Sequence, residues 1–279
     1  MKINKDSLKA RANNISARFG IPQNVVYNRF FYDAFLSRLA KSKYKNHFVL
    51  KGGLYLSSVF GVDTRSTMDV DFFLRKLSME RERIMDIIKE VACIDNDDDI
   101  VFEILGSNPI RKEDQYGGFQ ILVLGRLDNV RCQFGIDVAT GDPIVPSERN
   151  YKYKCLVSGE ELSLKAYSLE SVIAEKLETV LVRSISNSRC KDYYDLYILR
   201  KTQLSNIDVP TLIEAFNQTC QYRHFKISKG DALTLIDEIG DNQQIEMRWK
   251  SYCRNAMYAA HLSFKDVLIS IRGWIETIF

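Results

Sequence analysis

A chain of 279 residues, 46% hydrophobic and 27% charged with only five prolines and a formal net charge of +3, is an ordinary folded protein of one large or two modest domains, with no compositional sign of a disordered tail. Its six cysteines (Cys93, Cys132, Cys155, Cys190, Cys220, Cys253) are scattered and form no CxxC pair, which argues against a zinc site and a disulfide framework. The opening MKINKDSLKARANN lacks the apolar core of a signal peptide and no apolar run is long enough to span a bilayer, so the expected setting is the reduced cytoplasm, away from any membrane.

Residues 6–20 read as a helix with Ser7 as cap, ended by Gly20-Ile21-Pro22, and a second helix runs from Pro22 or Gln23 to Lys41 with Val26, Phe30, Ala34 and Phe35 at helical spacing. Residues 1–60 carry eleven Lys/Arg against two acids, Asp6 and Asp33, whereas residues 61–150 carry eleven basic against eighteen acidic side chains. A basic leading segment beside an acidic one suits a polyanion held next to a metal site, or two ordinary solvated faces. Lys45–Leu50 leads into Gly52-Gly53, a turn free of side chains that a ligand can approach closely. The helix expected over Leu54–Phe60 would turn its first amides toward a phosphate.

Thr67–Leu74 (TMDVDFFL) alternates as a strand, and Ser78 with Glu80 opens a helix to Val91. A polar turn at Asn96–Asp99 precedes three strands, Ile100–Leu105, Phe119–Leu127 and Arg131–Val138, and Gly141-Asp142-Pro143 closes the section. Beyond Ser147 the pattern is helical: Leu169–Ile185, Asp192–Arg200, Asp208–Asn217, Ile245–Ala260 and Phe264–Ile278. The expected fold class is therefore α+β, a mixed-sheet core with a C-terminal helical domain, divided into residues 1–150 and 151–279.

The chemistry centres on Lys51–Asp71, KGGLYLSSVFGVDTRSTMDVD. Asp69 and Asp71, two apart on a strand, point the same way. Beside a glycine turn they form a candidate Mg²⁺ site, Mn²⁺ being the substitute, for nucleotide phosphates. Asp137, on a later strand, is the candidate third metal carboxylate, or else a strand-end turn residue. Lys51, Arg65, Ser66 and Thr67 can donate to triphosphate oxygens. Lys176 adjoins the apolar stripe of SLESVIAEKLETVLVR; its stem either reaches water or its ammonium meets an anion in a polar cleft. In RCKDYYDLYILR, Asp192 and Asp195 share a helix face. Asp192 either caps that helix, or orients Lys176 or helps deprotonate an attacking hydroxyl. YRHFKISKGD (Tyr222–Asp231) is basic and aromatic, a candidate RNA contact. No HExxH, P-loop or dinucleotide fingerprint is present.

Taken together, SLKARANNISARFGIP, YDAFLSRLAKSKYKNHFVLKGGLYL, TRSTMDVDFFL, AEKLETVLVR and RCKDYYDLYIL resemble the AbiEii/AbiGii family of bacterial nucleotidyltransferase toxins, the toxin halves of type IV toxin–antitoxin or abortive-infection (antiviral defence) systems. The resemblance reaches from about residue 7 to 200. It implies a nucleotidyltransferase-like α/β core joined to a helical domain with the active site in a cleft, Asp69 and Asp71 binding magnesium, and Gly52-Gly53 shaping the nucleotide pocket. It also implies that Lys176 contacts the triphosphate and that Asp192 is the second-half catalytic acid. Where many nucleotidyltransferases open with glycine-serine this chain has Gly52-Gly53, so Ser66 takes over hydroxyl contact with the phosphates. The acceptor it implies is RNA, specifically the tRNA 3′ end, with a genetically linked antitoxin that need not form a stable complex. A small-molecule (aminoglycoside-like) nucleotidyltransferase and a catalytically silent nucleotide- or RNA-binding protein are the competing readings.

Overall fold

The computed structural model describes residues 3–67, 69–110 and 117–279; Met68, inside the strand expected over 67–74, lies outside the described residues. The chain divides into two compact units, Met1–Gly141 with Arg149–Ala166, and Asp142–Glu148 with Tyr167–Phe279.

The first unit holds a seven-stranded mixed sheet. Helix α1 (Lys5–Phe19) is capped by Asn4, whose Oδ1 accepts from Ser7 N at 2.9 Å, and stops at Gly20 in the left-handed region. Helix α2 (Gln23–Lys41) is buried along most of its length, from Val26 and Arg29 to Leu39. Strand β1 (Phe48–Lys51) is buried at every position and runs directly into α3 (Gly52–Phe60). Strand β2 (Asp69–Leu74) alternates half-buried and buried residues. After α4 (Arg81–Ala92) come β3 (Val101–Ile110), β4 (Gly118–Leu127) and β5 (Val130–Ala139). Strands β6 (Arg149–Lys154) and β7 (Glu161–Ala166) complete the order β3-β4-β5-β2-β1-β7-β6.

Strands β1 and β7, like β2 and β5, are parallel neighbours; the other pairs are antiparallel. Phe48, Val49 and Leu50 are 1%, 0% and 0% exposed, and burying side chains of this size contributes roughly 1.5–3 kcal/mol each. That fixes the central strand from which the glycine turn emerges.

Because α2 is so deeply buried, its polar residues need partners. Arg29 Nε meets Asp33 Oδ1 at 3.2 Å, and its Nη1 donates to Ser57 Oγ on α3 at 3.0 Å. Asp33 also accepts from Tyr153 Oη on β6 at 2.5 Å and from Leu156 N at 2.6 Å. The network ties α3, which begins at the glycine turn, to α2 and β6.

The second unit is helical: α5 (Leu169–Arg183), α6 (Cys190–Gln203), α7 (Val209–Tyr222), α8 (Lys229–Asp241), α9 (Gln243–Asn255) and α10 (Phe264–Ile278). Ser168, Asp208, Ser228, Asn242 and Ser263 each accept a backbone N–H at a helix start, the role their short polar side chains favour. Trp274 Nε1 donates to Leu196 O at 2.9 Å, fastening α10 on α6. Segment 142–148 belongs here because Val145 N donates to Ser171 Oγ at 2.8 Å and Val145 O accepts from Ser168 Oγ at 2.5 Å.

Four expectations are revised. Asn4, not Ser7, caps α1, with Ser7 supplying the N–H that Asn4 accepts. Residues 149–154 and 161–166 are strands of the sheet, not part of a helical portion starting at 151, since Tyr153, Leu162, Leu164 and Ala166 are buried while Lys154, Glu161 and Ser163 face out. Helix α8 covers a region for which no helix was expected. The last helix but one ends at Asn255, followed by a short 3-10 turn at Met257–Ala259.

Candidate active site

The sheet unit assembles its polar site at the start of α3. Gly52 has φ +64, and a Cβ there would lie 2.1 Å from Asp71 Oδ2; at Gly53 a Cβ would lie 2.5 Å from Thr67 Oγ1. Both positions therefore require glycine, the first for its backbone as well as for space. The absence of side chains lets Gly53 N donate to Asp71 Oδ2 at 3.2 Å. An N-terminal helix amide thus holds the carboxylate, a favourable use of the helix dipole.

Strand register does the rest. Asp69 lies beside Gly135 and Asp71 beside Asp137 across the parallel β2–β5 pair, while Lys51 lies opposite Asp71 on β1. In-register partners share a face, so Asp69, Asp71 and Asp137 stand on one side of the sheet, all half-buried. Asp137 Oδ1 accepts from Gln120 Nε2 of β4 at 2.8 Å. Of the expected phosphate donors, Ser66 and Thr67 are half-buried, and Arg65 and Lys51 are buried at 6% and 8% exposure. Arg65 Nη1 donates to Ser66 O, and Thr67 Oγ1 sits 3.4 Å from Asp69 N.

Hard carboxylate oxygens at the edge of a side-chain-free turn suit a small divalent cation, which commonly takes one or two carboxylates and completes its shell with water and phosphate oxygens. Among the described residues no three His, Cys, Asp or Glu side chains converge into a ready-made cage. Two carboxylates at such a turn fit a divalent cation that completes its shell with oxygens from outside the protein.

Among the described residues of the helical unit, two ionic groups join three or more charged side chains. Lys176 Nζ on α5 meets Asp192 Oδ1 at 2.6 Å and Asp195 Oδ2 at 2.8 Å, both on α6, and Arg189 Nε meets Asp192 Oδ2 at 3.3 Å. Burial disfavours the Lys176 charge, but the two carboxylates outweigh it and hold its pKa above the ordinary lysine value. An ammonium has three donors and two are committed here, so one N–H remains for an anion. Asp192 lies in the first turn of α6 and is no cap; its side chain faces Lys176 and Arg189. Asp195, absent from the expected site, is an equal partner of Lys176, and its three-residue spacing from Asp192 was the signal.

The second group centres on Arg223, which meets Asp142 at 2.9 Å, Glu178 at 2.5 Å and Glu175 at 3.9 Å. Arg223 of YRHFKISKGD is thereby committed to carboxylates of its own unit. Burial pushes the Glu178 carboxyl up, with Arg223 opposing.

Comparison with known proteins places the chain. A family model described as the nucleotidyl transferase AbiEii toxin of type IV toxin–antitoxin systems matches residues 34–270. Two solved structures from Helicobacter pylori share the fold. One, described as a nucleotidyltransferase, has 14% identity and a TM-score of 0.54, covering 92% of this chain and 96% of its own. The other, JHP933, has 14% identity and a TM-score of 0.55, covering 92% and 93%. No curated protein shows a significant match. Among the described residues no helix is long and apolar enough to cross a membrane. With the match extending over most of its length, the chain belongs to the AbiEii family of nucleotidyltransferase toxins of type IV toxin–antitoxin systems.

Proposed function

We propose that this toxin transfers a nucleoside monophosphate from an NTP to an RNA hydroxyl, with the tRNA 3′ end as acceptor and Mg²⁺ (or Mn²⁺) as the cation, and that growth arrest follows from blocked translation. The observation that carries the reading is the Asp69/Asp71 pair on β2 beside a glycine turn whose amide reaches Asp71. When bound, the cation supplies charge neutralisation on the triphosphate and polarises the α-phosphorus.

The chain's own residues then have separate tasks. Asp69 and Asp71 hold the cation, and Gly52-Gly53 leaves room for phosphate close to the backbone. Ser66, Thr67, Lys51 and Arg65 serve the phosphate oxygens. Asp137, half-buried on the same face, takes the proton from the attacking hydroxyl; Asp192, 2% exposed and engaged by two cations, is poorly suited to that role. The acceptor oxygen bonds to the α-phosphorus, the α–β P–O bond breaks, and pyrophosphate leaves. In the helical unit Lys176, oriented by Asp192 and Asp195, keeps one N–H for an anionic oxygen, the kind of electrostatic help such transfers chiefly require. Family membership implies a cognate antitoxin; counteraction without a stable complex is compatible with everything above.

The test is incubation of the purified protein with each α-labelled NTP, Mg²⁺ and total bacterial tRNA, with Asp71→Ala in parallel. Label on tRNA that vanishes in the variant supports the reading. Label on a small cationic acceptor instead, or NTP binding with no turnover on any acceptor, overturns it.

A further inference from the structure

We infer that the outward face of β6 and β7 is a lane for the phosphate backbone of the acceptor RNA, with Lys165, Lys152 and Lys154 as its contacts. This rests on the reading of the chain as an RNA nucleotidyltransferase. Strand register carries the face that holds Asp71 across the sheet without a break. Asp71 lies opposite Lys51, Val49 beside Lys165, and Lys165 opposite Asn150, so Asp71, Lys51, Lys165, Lys152 and Lys154 all project to one side. Of the six outward positions on the β6–β7 pair, three are lysine and one, Glu161, is acidic. The Lys152 side chain is 81% exposed and stands 4.0 Å from Glu161, a loose surface pair that leaves its charge available. Lys165 Nζ donates to Asn150 Oδ1 at 2.8 Å, a contact that holds the ammonium without neutralising it.

Two residues along a strand advance about 6.6 Å and a step to the neighbouring strand about 4.8 Å, which sets Lys165, Lys152 and Lys154 about 8, 16 and 22 Å from Lys51 along the sheet. The lysines thus form a diagonal row leading away from the site. At about 3.4 Å per nucleotide, that row matches about six nucleotides of a helical strand. Lysines on an edge strand such as β6 also deter pairing with other chains. A row that continues through Lys165 to Lys51 has no such use, because β7 and β1 are interior strands. The basic opening segment lies elsewhere. Helix α2 packs on the reverse face, where the Tyr32 and Phe134 ring centroids are 5.0 Å apart and Asp33 meets Tyr153, and α1 packs on α2. Its Arg29 and Arg38 are buried and paired with Asp33 and Asp98.

The experiment follows fluorescence anisotropy of fluorescein-labelled bacterial tRNA bound to the full chain, without NTP or Mg²⁺, over a range of salt concentrations. It compares wild type, K165A, K152A/K154A and, as a control that removes the same charge from α1, K5A/K9A. Melting temperatures for each variant confirm folding. The slope of log affinity against log salt should shrink by about one for each lane lysine removed. K5A/K9A should keep the wild-type slope. In transfer assays K152A/K154A should raise KM for tRNA and leave KM for NTP where it is in wild type. Three results would each overturn the inference. Wild type binds no tRNA; or K152A/K154A keeps the full slope, which makes its lysines guards of the edge alone; or K5A/K9A loses as much, which makes the effect one of net charge. Lane-dependent tRNA binding by a wild type that transfers no nucleotide would support it and sink the transferase reading instead.

Discussion

In the sheet unit Asp69, Asp71 and Asp137 stand side by side on two strands, half-buried, with a backbone N–H on Asp71 and a side-chain amide on Asp137. In the helical unit Asp192 and Asp195 are 2% and 0% exposed and are gripped by Lys176 and Arg189 within 3.3 Å, and Asp142 and Glu178 close on Arg223. The first set keeps like charges together at an accessible face, which costs stability and is the arrangement that the proposed cation would relieve. The second matches opposite charges in the interior, where losing one partner strands the other. Substitutions should therefore separate the two: activity without stability in one set, and stability first in the other.

The largest expected effect is on turnover. Asp71→Ala should lower nucleotidyl transfer by about 10³-fold or more, the scale of removing a principal electrostatic element from an active site. Its chemical denaturation midpoint should stay near wild type, since the lost partner is a single half-buried amide contact. A protein that is inactive because it is unfolded would erase the contrast.

Arg29→Met should do the reverse. It leaves Asp33 buried among Tyr153 and Leu156 without its guanidinium, and breaking such a pair costs about 3–5 kcal/mol. Denaturant titration reads this directly. A residual effect on NTP KM is expected through Ser57 and α3, but smaller than the stability loss.

Lys176 tests the border between the two sets, because its side chain is 14% exposed and one donor is uncommitted. Lys176→Met should cost about 3 kcal/mol by stranding Asp192 and Asp195. If the remaining N–H meets the triphosphate, KM for NTP or kcat must also suffer at temperatures where the variant is folded. Full activity in the folded variant would make Lys176 purely structural.

The part of this organisation legible in the sequence is the part that is local. The alternation in DVDFFL, the adjacent glycines and the Asp192/Asp195 spacing each rest on neighbours within a few residues; the caps did not follow, since Asn4 and not Ser7 caps α1, and α4 starts after Glu80 with no side-chain cap bond. Strands β6 and β7 also alternate visibly in RNYKYK and ELSLKA, but the loop around Pro143 and Pro146 was taken as the end of the sheet; the chain instead makes an excursion into the helical unit and returns. Gln120 on Asp137 depends on which strand pairs with β5, and Arg223 with Asp142 joins residues 81 apart. Such contacts are set by register and tertiary packing, which a one-dimensional pattern does not encode.

The smallest expected effect is a pH dependence in the helical unit. Glu178 is buried beside Arg223 and its folded pKa is raised, burial outweighing the guanidinium. A carboxyl raised on folding contributes stability that is complete below its unfolded pKa of 4.5 and is lost as pH rises through the higher folded value. Relative to Glu178→Gln, which cannot ionise, wild type should gain stability as pH falls from 7 toward 4.5. Denaturant midpoints of both proteins at steps across that interval measure it. Asp142 and Glu175 face the same Arg223 in both proteins, so their own titration largely cancels in the difference. A difference that is flat, or that shrinks on acidification, would mean that Arg223 outweighs burial and that Glu178 is a conventional ion-pair partner.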